Sequence, residues 1–210
     1  MEKIKEKDFI EIDFVGKTKE GEIFDSTKKE HSKKFGKEEL KPLKIPLGFG
    51  LMLKTFEEEI IGKEIGKEYF IEIKAEKAFG KRNPLLVKMV SIKNFLSQGI
   101  TPTKGMQFSF DGNLGKIVSV SGGRVLVDFN NPLAGKDVFY EFKILRKIEE
   151  KKEQLDSLQE YFFNKIFESE IKGGKAIIKV ENNFFPLFEA LKRRFEEIVG
   201  LPLEIIKSST

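Results

Sequence analysis

"DFIEIDFVGKTKEGEIFDST" (residues 8–27) decides the fold. Its first eight residues alternate: Ile10, Ile12 and Phe14 fall on one face, Glu11 and Asp13 on the other. That period of two marks a half-buried antiparallel strand. "KTKEGEI" then predicts a hairpin turn at Gly21 and a second strand ending at Phe24-Asp25. A turn accounts for Gly21, and capping for Asp25 or Ser26. Neither accounts for Phe24, an aromatic joined directly to a carboxylate.

Outward from this hairpin, the lysine-rich segment 28–41 reads as a loop. "PLKIPLG" (42–48) reads as a short strand whose prolines favour an edge or a bulge. In "LMLKTFEEEII" (51–61) the period changes: Met52 or Leu53, Phe56 and Ile60 recur at helical spacing, and Gly62 is the stop. So short a helix must dock its apolar stripe on something. "KEYFIEIKA" (67–75) returns to alternation, with Tyr69, Ile71 and Ile73 opposite Phe70, Glu72 and Lys74. Strands around one short helix predict an α+β domain.

The rhythm breaks at "FGKRNPLLVKMV" (79–90), and residues 84–131 read as a mainly-β unit of their own. It has a strand over 85–90, a short helix in "SIKNFLSQG", a strand with Met106, Phe108 and Phe110 on one face, and a hairpin turned at Ser121-Gly122-Gly123. A long alternating strand, "VFYEFKILRKIE" (138–149), then resumes the first domain. The expected organisation is a discontinuous host domain (1–83 and 132–149), an inserted domain (84–131) and a small α/β C-terminal domain (150–210). In the last, "EEKKEQ" (149–154) reads as a linker into a helix with Leu155, Leu158, Phe162 and Ile166 on one stripe. A strand (175–180), a helix capped by Asn183 and stopped by Gly200, and a final strand (203–207) follow. So small a tail is expected to pack on the host domain or on a second copy.

Composition narrows the chemistry. The 210 residues include no cysteine, which excludes disulfides, thiolate nucleophiles and thiolate metal sites. The single histidine, His31 in "KKEHSKKFGK", reads as solvated. Glu57, Glu58 and Glu59 point in different directions around a helix and read as a solvated face rather than a metal site. No phosphate-binding glycine motif is present, so neither metal nor cofactor is expected. The net charge of +4 comes from 38 basic and 34 acidic residues that interleave, the pattern of a salt-bridged surface rather than a nucleic-acid interface. No run approaches the roughly 18 apolar residues of a bilayer span, and the N-terminus lacks an apolar signal region. A cytoplasmic location with no membrane partner is expected. What remains unexplained is aromatic: 21 phenylalanines, with Phe14, Phe24, Phe56, Phe79 and Tyr140 on or beside separate elements.

Four motifs, "VGKTKEGEIFDST" (15–27), "PLGFGLMLKTFEEEIIGKEIG" (46–66), "AFG" (78–80) and "NPLAGKDVFYEFKIL" (131–145), in this order and spacing resemble the FKBP-type peptidyl-prolyl isomerases over residues 5–149. The insertion between "AFG" and "NPLAG" resembles the insert-in-flap domain of the SlyD-like branch, and the tail resembles that of the long archaeal members. The resemblance implies an FKBP-like bent antiparallel sheet around the short helix. It implies a proline-binding pocket lined by Phe14, Phe24, Leu43, Met52, Leu53, Phe56, Phe79 and Tyr140. Asp25 would be the polar group inside, and the Leu53 N–H would hold the substrate carbonyl. Phe24 is then a pocket wall; Asp25 as a turn cap stays open as the plainer reading. The family's "AYG" tyrosine is Phe79 here, Leu43 stands at a position usually aromatic and Phe14 at one commonly tyrosine. Weaker binding of polar macrolides and modest isomerase activity are expected.

In the insertion, Leu85, Leu86, Val87, Met89, Phe95, Leu96, Met106 and Phe108 are candidates for an exposed groove, because so small a unit cannot bury them all. The same residues suit the insertion's own core, and both readings stay open. A groove could take extended peptides at a strand edge, and methionines would let it adapt. The expected function is prolyl isomerase and folding chaperone acting on unfolded or proline-containing polypeptides, the tail being a candidate homodimer contact. The rivals are a holdase with weak or lost isomerase activity and a basic ribosome- or RNA-associated protein.

Overall fold

The computed structural model describes residues 2–110 and 112–208; the side chain of Phe110 lies outside the described part. The chain forms two compact units, Met1–Ile73 with Phe139–Thr210, and Lys74–Val138.

In the first unit, β1 (Phe9–Thr18) turns at Gly21 into β2 (Ile23–Ser26), as the alternation predicts. Residues 28–41 are not a plain loop: Lys29–Phe35 winds into a 3-10 helix, closed by Gly36 in the left-handed region. β3 (Leu43–Pro46) pairs with β1, α1 (Lys54–Ile60) follows, then β4 (Glu68–Ile73). The described sheet runs β2-β1-β9-β4, with β3 also on β1, where β9 is Val138–Lys147. Ile10, Ile12, Phe14 and Gly16 of β1 share its buried face, and Tyr140, Phe142 and Ile144 share that of β9. Phe56 and Ile60 of α1, fully buried, dock on these rows. Truncating Phe56 to alanine would cost about 3–5 kcal/mol.

The tail does not begin with a linker. α3 (Lys151–Phe163) starts directly after β9, because Glu153 bridges Arg146 of β9 and Lys44 of β3, and the Gln154 amide donates to the Ile148 carbonyl at 2.8 Å. Asn164 in the left-handed region ends the helix, which leaves Ile166 off the stripe and exposed. A strand unforeseen in the sequence, β10 (Ser169–Lys172), forms a Gly173-Gly174 hairpin with β11 (Lys175–Val180). α4 (Phe185–Val199) has Phe184 at its cap rather than Asn183, Pro186 in its first turn, and Gly200 as its stop. β12 (Leu203–Lys207) pairs parallel to β11. The tail packs on the host: Phe9, Ile148, Phe49 and Leu51 share one apolar cluster with Leu155, Leu158, Phe188 and Phe195.

The second unit is wider than 84–131, because its base is stitched: the Asp137 carboxylate accepts from Ala75 N at 2.9 Å, and Gly135 N donates to Gly80 O at 2.8 Å. Leu85 and Leu86, expected at the start of a strand, lie instead in a 3-10 turn over Pro84–Leu86, in which the Asn83 side chain caps Leu85 N. β5 (Val87–Ser91), α2 (Ile92–Leu96), β6 (Gln107–Phe110), β7 (Asn113–Ser121) and β8 (Arg124–Asp128) follow, in sheet order β5-β8-β7-β6. Phe95, Ile117, Val125 and Val127 make its small core, with Met106 and Phe108 packed against it. Phe95, a candidate for the exposed groove, is instead 3% exposed, being the one α2 side chain turned fully under the sheet. Among the described residues no helix is long and apolar enough to cross a membrane.

Candidate active site

Four aromatic rings from four elements meet in the first unit. Tyr140 of β9 stacks on Phe56 of α1, centroids 4.1 Å apart and nearly parallel. Phe14 of β1 meets Phe56 edge-on at 5.7 Å, and Phe24 of β2 meets Tyr140 at 5.7 Å and 90°. These offset and edge-to-face geometries set quadrupoles favourably. Phe14, Phe56 and Tyr140 are buried, while Phe24 is half-buried and forms an open side of the cluster.

Gly16, which the sequence reading passed over, makes this possible. It occupies an inward position of β1, two residues from Phe14, where alternation would put another large side chain. A Cβ there would sit 2.8 Å from Phe24 Cζ and 2.9 Å from Tyr140 Cε1. The pattern break in "IEIDFVGK" was the available signal.

The "DST" of the opening stretch positions the walls. Thr27 Oγ1 accepts from Phe14 N at 2.8 Å and lies 2.7 Å from Asp13 Oδ1, while Thr27 N donates to Phe14 O at 3.0 Å. Ser26 Oγ accepts from Lys28 N at 3.0 Å and lies 2.8 Å from His31 Nδ1. His31 is thus half-buried and partnered rather than solvated. Asp25 pairs across the strands with Gly16. The residue keeps a solvent-exposed side, yet loss of hydration lifts its carboxyl above the usual carboxylate range, outweighing the Ser26 N–H and the Lys37 charge. Its charge in turn adds to the burial that holds the Tyr140 phenol protonated.

Leu43 sits opposite Ile12 on the same inward row as Phe14, and is half-buried. Met52 and Leu53, also half-buried, lie in the turn entering α1. That turn is organised by Glu57, which is no solvated face residue: only 3% exposed, its carboxylate accepts from Gly48 N (2.9 Å), Gly50 N (3.2 Å) and Met52 N (2.8 Å). The next amide, Leu53 N–H, has no acceptor among the described residues. Phe79 belongs to the second unit, where it is half-buried. The structure therefore brings Phe14, Phe24, Asp25, Leu43, Met52, Leu53, Phe56 and Tyr140 into the first unit's cluster or onto the elements around it.

The model of the FKBP-type peptidyl-prolyl cis-trans isomerase matches residues 1–109. The chain belongs to this family. It is an FKBP-type prolyl isomerase with the family's α+β fold. A model of the FKBP26 IF domain matches residues 88–133. The short-type peptidyl-prolyl cis-trans isomerase of Methanocaldococcus jannaschii is 30% identical over 145 residues, 67% of this chain and 92% of that protein. The FKBP-type 16 kDa peptidyl-prolyl cis-trans isomerase of Escherichia coli is 30% identical over 110 residues, 50% of this chain and 73% of its own. The isomerase SlyD of Vibrio cholerae is 31% identical over 109 residues, 50% of this chain and 53% of its own.

In the second unit, Val87, Met89, Leu126 and Leu114 are apolar side chains on the outer face of the sheet, among polar neighbours that include Lys116, Ser119, Arg124 and Asp128. The register puts Met89 beside Leu126 and opposite to the buried Val125 and Val127, and Leu114 lies on the same side. Leu85 (81%), Met89 (62%) and Leu114 (55%) are strongly exposed, as is Leu96, and Leu86 and Val87 are partly so. Leu114 escaped the sequence reading because Gly115 and Lys116 hide its strand periodicity.

Proposed function

We propose that the aromatic cluster is the isomerase pocket and that the exposed apolar side chains of the inserted unit hold unfolded chain while the pocket acts on its proline bonds. The observation that carries the first half is the ring cage, with the partly desolvated Asp25 carboxylate on β2 and, in the turn entering α1, the Leu53 amide, which has no acceptor among the described residues. Rotation about an X-Pro bond meets a barrier of about 18–20 kcal/mol, set by amide resonance. The planar amide is the more charge-separated form, so water stabilises it over the twisted transition state. A pocket of Phe14, Phe24, Phe56 and Tyr140 rings withdraws that water. The Leu53 N–H accommodates the carbonyl of the twisting bond, and Asp25 offers a polar contact without proton transfer. A thousandfold acceleration requires only about 4 kcal/mol, within reach of desolvation and one hydrogen bond, with no nucleophile involved.

The exposed apolar side chains Leu85, Leu96, Met89 and Leu114, the last two on the same face of the sheet, support the second half: a small unit whose own core is already filled carries them in water. β5 and β6 are sheet edges to which an extended segment can add. In this reading residues 84–131 are the chaperone part, residues 150–210 a separate contributor suited to homodimer contact, and the location cytoplasmic, with no nucleic-acid partner. The test is isomerisation of a short X-Pro peptide alongside refolding of a proline-limited protein. Phe24→Ala and Asp25→Ala should lower peptide isomerisation tenfold or more; unchanged rates would move the site elsewhere. Loss of aggregation suppression on substituting the insert face, with peptide activity intact, supports the division of labour, and retained suppression refutes it.

A further inference from the structure

The loop 48–52 is held from two sides in an alternating pattern. The amides of Gly48, Gly50 and Met52 turn to the Glu57 carboxylate. The carbonyls of the residues between them turn the other way, to the C-terminal tail: Arg194 Nη2 of α4 donates to Phe49 O at 2.7 Å, and the Tyr161 hydroxyl of α3 donates to Leu51 O. The Phe49 and Leu51 side chains pack into the tail's apolar cluster. The Tyr161 hydroxyl is a donor throughout the neutral range, and partial burial raises it further above its ordinary value. α3 itself is anchored at its start, where Glu153 meets both Arg146 and Lys44, the latter next to Leu43.

We propose that the C-terminal tail is a working part of the isomerase site, with Tyr161 and Arg194 as positioning residues that fix the loop presenting the Leu53 N–H. Both act through the loop and neither touches the substrate. Each removes one degree of freedom from the loop's carbonyl side, as Glu57 does from its amide side, so that the amide following Met52 arrives pre-aimed. Pre-aimed donors are worth most where charge redistributes in the transition state. The tail then does more than offer a surface for a second copy: without its two hydrogen bonds the pocket persists but its donor wanders. This inference rests on the proposed pocket and on Leu53 as its donor.

The test uses the full chain with Tyr161→Phe, Arg194→Met and Arg194→Lys, and Phe24→Ala as the pocket control. Both positions are exposed, which leaves folding intact on substitution. The expected result is a fall in kcat of about three- to tenfold per lost bond, with KM little changed. Arg194→Lys should restore much of the loss, and the Leu53 amide resonance should shift in the Phe and Met variants. With the wild type and the Phe24→Ala control behaving as proposed, kcat within twofold of wild type and an unmoved Leu53 amide would overturn the inference. So would a loss that Arg194→Lys fails to restore and that tracks thermal stability. If Phe24→Ala leaves catalysis intact, the pocket reading itself fails, and this inference falls with it.

Discussion

Replacing Gly16 by alanine tests the pocket with a single methyl group. On an ordinary strand the change would be neutral or favourable by about 0.5–1 kcal/mol, since glycine loses more entropy on folding. Here the new Cβ lands 2.8 Å from Phe24 Cζ and 2.9 Å from Tyr140 Cε1. Carbon atoms prefer about 3.5–4.0 Å, so roughly an ångström of overlap has to be relieved. Tyr140 cannot yield, being stacked on the fully buried Phe56 at 4.1 Å. Phe24 can, because it is half-buried on the short strand β2. Overpacking costs about 1–3 kcal/mol and loss of the Phe24–Tyr140 contact about 0.5–1.5 kcal/mol. Set against the entropy gain, the net destabilisation should be about 2 kcal/mol, within roughly 0.5–4 kcal/mol. Moving a pocket wall by an ångström costs far more in catalysis, up to about 100-fold. Urea denaturation gives the first quantity and peptide isomerisation the second. A variant as stable as wild type, with kcat/KM within twofold, would refute the claim that Gly16 exists to admit these two rings.

Other outcomes follow from the same geometry. Glu57→Gln leaves at least one of three loop amides facing an NH2 group, and should lower stability by about 2–3 kcal/mol and raise hydrogen exchange at Gly48, Gly50 and Met52; unchanged exchange would contradict the clamp. The Glu153 carboxyl is pulled down to about 2 by Arg146 first and Lys44 second. A lowered folded value contributes stability above the unfolded value of about 4.5 that is lost as pH falls toward 2. Discounted for partial exposure, that is about 1–2 kcal/mol, so Glu153→Gln should destabilise at pH 7 and flatten the acid limb between 4.5 and 2. Met89→Lys with Leu114→Lys should weaken aggregation suppression several-fold in a refolding assay while peptide isomerisation stays within twofold; equal suppression would remove the insert face from the account.

Much of this was legible in the sequence because it is periodic. The strand of Ile10, Ile12 and Phe14, the helical recurrence of Phe56 and Ile60, and the Gly122-Gly123 hairpin each declare themselves in a short window. The pocket walls were legible only through four motifs taken together, since each aromatic alone reads as core. What escaped depends on partners distant in sequence. Glu57 looks like one of three surface acids until the glycine-rich loop folds its amides over it. His31 gains its partner only when the hairpin brings Ser26 alongside. Lys151–Gln154 reads as linker because nothing local says that Glu153 will bridge two strands. β10 alternates the exposed charges of Glu170 and Lys172 with the half-buried Ser169 and Ile171, and is a strand by virtue of β11.

Proline isomerisation is assigned to the first unit's aromatic cage. Exchange NMR on a short X-Pro peptide, with the labelled full chain observed in the same sample, reads both the reaction and its place. The expected result is faster cis–trans exchange together with shifts at Leu53, Gly16 and the Tyr140 ring, both abolished in Phe24→Ala. Faster exchange with shifts confined to residues 74–138, or no acceleration despite shifts at the cage, would contradict that assignment.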